Sequence, residues 1–329
     1  MNPDLHKIIS SILPHTQPRK QAGQAYAPAN IALCKYWGKR QESLKLPLTG
    51  SLSISLAQLG THMRIELSET DQLIINDEAQ DIRGKAATRL FEFLSLFRAP
   101  DTHFKIKSLN TIPMAAGLAS SASAFASAVN ALNDLYQWEL SAQQRSILAR
   151  IGSGSASRSI YQGFVEWHRG EQADGMDSFA ERLDTEWPDF RIGILTLSDA
   201  KKTVGSSEGM QRTIESSTLF ESWPAQVDKD LPVIRQAIRD QDFDTLGKTA
   251  EQNALSMHAT MISAWPPVLY WRPESVATLH QVHQLRQQGL SVYATMDAGP
   301  NVKLLFKEKT RNELLQAFPG LQVVEPFSA

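Results

Sequence analysis

The sequence predicts a two-domain α+β protein, and three observations lead to that class. Up to about residue 76 apolar and polar residues alternate with period two, the mark of strands with unlike faces. Between about 103 and 151 a strand pattern gives way, through an Ala/Ser/Gly-rich segment, to two stretches with helical spacing. After about residue 190 the outer elements read β-α-β-β-α-β, the split ferredoxin-like order. The boundary is therefore expected near 190. This divides the chain into residues 21–190 and 191–329, with residues 1–20 as an N-terminal extension.

In chain order, Leu5, Ile8, Ile9, Ile12 and Leu13 recur at helical spacing, and Pro14 and Pro18 follow as an irregular lead-in. That segment lacks the basic start, unbroken apolar core and small-residue cleavage site of a secretory signal. Ser51, Ser53 and Ser55 alternate with Leu52, Ile54 and Leu56, which predicts a half-buried strand. Met63, Ile65 and Leu67 repeat the pattern, as do Leu73 and Ile75. Ala87, Leu90, Phe91, Leu94 and Phe97 form one apolar helix face. Residues 103–108 read as a strand. Phe125, Val129, Leu132 and Leu135 mark a buried helical stripe. Ser141 with Gln144 spells a capping box for a helix carrying Ile147, Leu148 and Ile151 and ending at Gly152. Residues 191–198 read as a buried strand, and a mainly helical stretch follows. Its last helix starts at Pro273, a favoured first-turn residue. Strands at 291–296 and 301–306, a helix at about 309–317 and a strand at 321–325 complete the chain.

Composition excludes several classes. A formal net charge of −2 gives no basic field for nucleic acid, so an anionic ligand needs a local cluster of cations and backbone N–H groups. The apolar runs are too short to span a bilayer, so no membrane partner is expected. A single cysteine, Cys34, allows neither an internal disulfide nor a cysteine metal cluster, and the eight histidines show no HExxH-type spacing. No metal ligand can be named from the sequence.

Five segments could carry chemistry. Pro113 to Ser123 joins a strand to a helix. Its small residues allow close backbone approach, and the unpaired N–H groups of a helix start favour phosphate. A tightly packed, serine-capped helix start explains the same residues equally well. The segment is neither a Walker A loop nor a Rossmann fingerprint. Gly152 to Arg158 combines Gly and Ser with a guanidinium suited to a two-toothed grip on a carboxylate or phosphate; the plainer alternative is a helix C-cap and turn. Lys35, Lys39 and Arg40 lie within six residues at a strand end, beside Tyr36 and Trp37. A solvated charge cluster is the ordinary explanation. Asp297 follows a strand and precedes Gly299-Pro300, where it is either a carboxylate fixed in a cleft or a hairpin residue bonding backbone N–H groups. Lys201 to Met210 follows a strand and enters a helix, again open to an anion or to simple capping.

Taken together and in this order, the five segments resemble the signature stretches of the diphosphomevalonate decarboxylase family, within the GHMP kinase superfamily. The resemblance runs from about Ala25 to about Val302. The loop Pro113–Ala122 resembles the phosphate loop shared by GHMP kinases. The stretches Asn30–Lys39, Gly152–Ser159, Gly163–Trp167 and Met296–Asn301 resemble the decarboxylase branch.

The resemblance implies an N-terminal ribosomal-S5-like α/β domain, a C-terminal ferredoxin-like domain and a cleft between them. It implies ATP and Mg2+ as cofactors, 5-diphosphomevalonate as the small-molecule substrate, and a cytoplasmic homodimer. By similarity, Asp297 receives a hydroxyl proton and Arg158 holds the substrate carboxylate. Substrate contacts are expected from Lys35, Tyr36, Trp37, Gly38 and Lys39, from Ser153, Gly154, Ser155, Ala156, Ser157 and Arg158, and from Ser206, Ser207 and Met210. The nucleotide falls to Ser108, Asn110, Ala115, Ala116, Gly117, Leu118, Ala119, Ser120, Ser121 and Ser123. Two positions depart from the family pattern. Gln72 and Leu73 stand where relatives place a basic residue, and Ser207 stands where some carry Arg or Thr. The rival readings are a phosphomevalonate decarboxylase, a kinase such as mevalonate 3-kinase or homoserine kinase, and a non-catalytic sensor. The Asp-Ala-Gly-Pro segment favours a decarboxylase.

Overall fold

The computed structural model describes residues 3–112, 120–198, 200 and 202–327. Helix α1 (Pro3–Ile12) is amphipathic and sets Ile8, Ile9 and Ile12 into the N-terminal core. Then come β1 (Ala22–Cys34), the small hairpin β2 (Lys39–Gln41) and β3 (Leu46–Pro47), and the long strand β4 (Ser51–Ser68). Strands β5 (Gln72–Ile75) and β6 (Glu78–Ala79), helix α2 (Lys85–Leu94) and strand β7 (His103–Asn110) follow. Helices α3 (Ser120–Tyr136) and α4 (Ala142–Gly152) lead to a 3-10 turn at Gly154–Ile160 and the strands β8 (Phe164–Trp167) and β9 (Ala180–Arg182). The predicted capping box is formed: Ser141 Oγ accepts from Gln144 N, and Gln144 returns the bond to Ser141 N.

The sheet runs β6-β5-β7-β4-β8-β9, with β1 also paired to β4. The β1–β4 register slips between Pro28 and Asn30. Proline lacks the N–H that an unbroken ladder would need there. Beyond the slip β1 pairs with the start of β4, which carries its C-terminal end toward the second domain.

The C-terminal domain comprises β10 (Phe190–Leu195), α5 (Ser206–Ser216), α6 (Trp223–Asp240), α7 (Phe243–Ile262), α8 (Pro273–Gln287), β11 (Val292–Met296), β12 (Val302–Lys307), α9 (Arg311–Ala317) and β13 (Gln322–Val324). Its sheet order is β11-β12-β10-β13, with every pairing antiparallel. That is the ferredoxin-like arrangement, with α5, α6 and α7 inserted between its first strand and first helix. No helix among the described residues is long and apolar enough to cross a membrane.

Two details differ from the sequence reading. Residues 51–56 form a fully buried strand end, not a half-buried one. Their second face is covered by α6 and by the apolar residues of the other domain. Ile31, Leu33, Leu52, Ile54 and Phe164 share one core with Ile234, Ala250 and Met257. Phe91 on α2 is only partly buried, and Phe93 takes its place in the core. The shared core is reinforced by Arg235 of α6, which holds buried Glu166 of β8 with two bonds of 2.6 and 2.7 Å. A buried carboxylate is tolerated only with such a partner.

Candidate active site

Strand β1 ends where the two domains meet. The backbone N–H of Lys35 donates to Asn253 Oδ1 of α7 at 2.8 Å, which clamps the end of the strand to the C-terminal domain. Beyond it lies a cavity of about 630 Å³. The β1 end, the β2–β3 hairpin, α2, the start of α3, the 153–158 turn, the start of α5 and the β11–β12 loop all line it.

Asp297 forms its centre. Its carboxylate takes Lys35 Nζ at 2.9 Å on Oδ1 and has Lys303 Nζ at 3.7 Å from Oδ2. Burial alone would raise the carboxyl pKa. Lys35, Lys303 and Lys202 overcome that effect and hold it far below the ordinary carboxylate range. Lys35 donates a second bond to the Ala32 carbonyl at 2.7 Å, so its ammonium is fixed.

Arg158 projects from the 3-10 turn and is almost fully buried. Its Nη1 donates to Ser51 Oγ and its Nη2 to Asn30 Oδ1, and its guanidinium lies over the Trp167 ring at 5.8 Å. Burial lowers its pKa to about 10, against the pull of Asp297, so it remains a cation at neutral pH. Among the described residues its Nε and the Tyr36 hydroxyl are buried without a partner, and both residues line the cavity. Unsatisfied buried polar atoms are costly, and a ligand oxygen here would satisfy them. Gly154 belongs to the same wall: a Cβ on it would come 2.7 Å from the Tyr36 hydroxyl and 3.0 Å from Trp167.

The far end is cationic. Lys39 Nζ sits between Glu42, at 2.7 and 3.0 Å, and Ser207 Oγ at 3.3 Å. Lys45 binds the same Glu42, and Lys85 and Arg89 also line this end. Arg89 is held by the Gly152 carbonyl at 2.8 Å and by the Phe125 ring. Positive charge omitted at Gln72, Leu73 and Ser207 is thus present on α2 and on the β2–β3 hairpin. Three hydroxyls, Ser121, Ser153 and Ser155, follow one another at 3.5 Å spacings along the wall.

The cavity gathers Lys35, Tyr36, Trp37, Lys39, Ser121, Ser153, Gly154, Ser155, Arg158, Ser206, Ser207, Met210 and Asp297. Trp37 reaches it from the shared core, and its carbonyl accepts from Trp223 Nε1. Three expected contacts need correction. Ala156 is core, and Ser157 turns inward to bond the Gly154 carbonyl, because a 3-10 turn aligns residues three apart: Ser155 and Arg158 share the cavity side and the two between turn away. Gly38 serves the backbone: its φ of +112° suits glycine, and a Cβ there would come 2.9 Å from Phe220.

The nucleotide residues are divided. Ser123 is buried against Thr61, which also donates to Asn110. Ser108 lines a separate cleft of about 560 Å³ on the N-terminal sheet, beside Tyr26, His62, Arg64 and Lys107. Ala115, Ala116, Gly117, Leu118 and Ala119, the side chain of Ser120, and Lys201 lie outside the described residues. Sequence reasoning missed Asn30, Ser51, Lys45, Arg89, Asn253, His258 and Lys303. Only Lys303 left a local signal, a lone cation inside an apolar strand.

Comparison with known proteins bears on this geometry. Residues 27–180 match the family model for a diphosphomevalonate decarboxylase-like N-terminal domain, and residues 192–324 match that for a mevalonate 5-diphosphate decarboxylase C-terminal domain. The chain is 41% identical over 307 residues to diphosphomevalonate decarboxylase of Aspergillus fumigatus, covering 86% of this chain and 76% of the relative. It is 36% identical to that of Saccharomyces cerevisiae, covering 88% and 78%. The crystal structure of mevalonate diphosphate decarboxylase from Staphylococcus aureus superposes with a TM-score of 0.88 at 36% identity, covering 94% and 96%. A structure of MDDEF in complex with MVAPP, AMPPCP and magnesium superposes with a TM-score of 0.86 at 38% identity, covering 93% and 96%.

Proposed function

The chain belongs to the diphosphomevalonate decarboxylase family, and from that premise we propose how its interdomain cavity carries out the family's reaction. The reaction is the ATP-dependent decarboxylation of (R)-5-diphosphomevalonate to isopentenyl diphosphate, CO2, ADP and phosphate, in the mevalonate route to isoprenoids. The observation that carries the reading is a carboxylate kept ionised by two lysines in the cavity that also holds Arg158 and the Lys39 end.

Substrate lies with its diphosphate toward Lys39, Lys45, Arg89, Ser206 and Ser207 and its carboxylate toward Arg158. Tyr36 and the 153–155 backbone hold the chain between them. This presents the 3-hydroxyl to Asp297. An aspartate so strongly held in its charged form cannot ionise a tertiary alcohol beforehand. It takes the proton as the O–P bond forms, so positioning dominates the rate. The C3–O pair then leaves with phosphate. The C1–C2 pair becomes the C2=C3 bond as CO2 departs from the grip of Arg158.

The hydroxyls of Ser121 and Ser153 suit the phosphates of ATP, with Ser108 and Asn110 toward the nucleoside. Magnesium, when bound, neutralises charge between phosphates. The described residues hold no group of three His, Cys, Asp or Glu side chains fit for a metal. The ion would be held between the phosphates, where the Ser121 and Ser153 hydroxyls could complete its shell. The reading includes residues 21–190 and 191–329 as the two domains, a homodimer and a cytoplasmic location; for these last two it rests on family likeness.

The test is a panel. Purified protein with ATP and Mg2+ is given mevalonate, its 5-phosphate or its 5-diphosphate, and CO2 and ADP are measured. The diphosphate is expected to be used at least about tenfold better in kcat/KM than the monophosphate, roughly 1.4 kcal/mol from the cationic end. Equal or better use of the monophosphate would overturn the substrate assignment. ADP without CO2 would make the protein a kinase.

A further inference from the structure

Strand β12 is buried on both faces, and such a strand should be apolar throughout. Val302, Leu304, Leu305 and Phe306 conform. Lys303 does not, yet it is only 1% exposed. Register sets it opposite Thr295 of β11 and Ile194 of β10, on the sheet face whose Leu305 and Ile192 enter the interdomain core. An ammonium in that position forfeits its hydration and needs a compensating charge. It finds the Asn301 carbonyl at 3.3 Å and Asp297 Oδ2 at 3.7 Å. Lys303 lies behind the carboxylate and is not part of the cavity lining. Lys35, which is, holds the other oxygen.

We propose that Lys303 is a positioning residue for Asp297, fixing the rear oxygen so that the carboxylate stays ionised and aimed at the substrate hydroxyl. The proposal rests on the reading of Asp297 as proton acceptor. Asp297 is faced by Lys35 from just past β1, Lys202 from the segment before α5, Arg158 from the 3-10 turn, His258 from α7 and Lys303 from β12. The His258 ring, tilted at 40° against Trp271, hydrogen-bonds the Asp297 backbone. Burial keeps that ring neutral, with a pKa near 3, so it steadies the loop without adding charge. Burial also lowers Lys303 itself to about 8, while Asp297 opposes the shift. At neutral pH the ammonium form therefore predominates.

The sign follows from the direction of the Asp297 shift. A depressed carboxyl stabilises the fold above its unfolded pKa, and that contribution is lost only as pH falls through the folded value. Removing Lys303 raises the folded value toward the unfolded one, so the contribution is smaller and its loss is complete at a higher pH, still below the unfolded value.

The experiment compares Lys303→Met, which keeps length without charge, with Lys303→Arg. Three quantities are read: kcat and KM across pH, thermal unfolding, and the 13C titration of the Asp297 carboxyl in ligand-free protein. Lys303→Met is expected to lose about a hundredfold in kcat with KM within about threefold, and to titrate Asp297 at least about one pH unit higher. Lys303→Arg is expected to recover at least about tenfold of that kcat. A folded Lys303→Met protein with kcat within threefold of wild type overturns the proposal, as does a kcat loss with the titration unmoved. Should the methionine protein not fold, Lys303→Gln is read in the same way. A wild-type protein that fails to decarboxylate would defeat the functional reading instead, and the titration would still decide the ion pair.

Discussion

Replacing Asp297 with asparagine is expected to lower kcat by about a hundred- to ten-thousand-fold, the usual range for a positioned proton acceptor. Asparagine keeps size and hydrogen bonding but is not a useful base. The loop that carries it is set by the β11–β12 hairpin, and its backbone is further held by His258. The fold should therefore survive, and calorimetry should find nucleotide and substrate binding within a few fold of wild type. Lys35 and Lys303 lose their counter-ion, so some drop in thermal stability is expected. The decisive feature is that ADP and CO2 must fall together, because phosphorylation precedes carbon–carbon cleavage. If the variant forms ADP and accumulates a 3-phosphorylated intermediate, Asp297 acts in the later step and its assigned role is wrong.

The second large effect concerns Arg158. Arg158→Lys preserves the charge but cannot reach both Ser51 and Asn30 or present a flat two-toothed face to a carboxylate. We expect kcat/KM to fall by about ten- to a hundredfold, roughly 1.4 to 2.7 kcal/mol of transition-state stabilisation. Circular dichroism should show an intact fold. Near wild-type turnover would reduce Arg158 to a strut that ties the turn to β1 and β4.

Much of this was legible before the structure. Period-two runs marked β4 and β5, the Ser141/Gln144 pair marked the start of α4, and the order of elements after 190 announced the second sheet. What could not be read locally depended on distant chain. The start of β4 alternates like an exposed strand, yet is buried on both faces because α6, well over 150 residues later, covers the side that faces outward in the lone domain. The motif around Lys35 identified the correct stretch but not the direction of each side chain. Turn geometry sends Ala156 and Ser157 into the core and leaves Ser155 and Arg158 in the cavity. Asn253, His258, Lys45 and Arg89 come from separate helices and a hairpin. Each looks like an ordinary surface or helix residue until the fold brings it beside Lys35, Asp297 or Lys39.

Phosphoryl transfer to the hydroxyl facing Asp297 is what drives loss of CO2 in this mechanism. A single turnover of wild-type protein with ATP, Mg2+ and carboxyl-labelled diphosphomevalonate, quenched on the millisecond scale, tests that order. One ADP per CO2 is expected, with ADP formed no later than CO2 at every time point. CO2 released ahead of ADP, or without it, would refute the order.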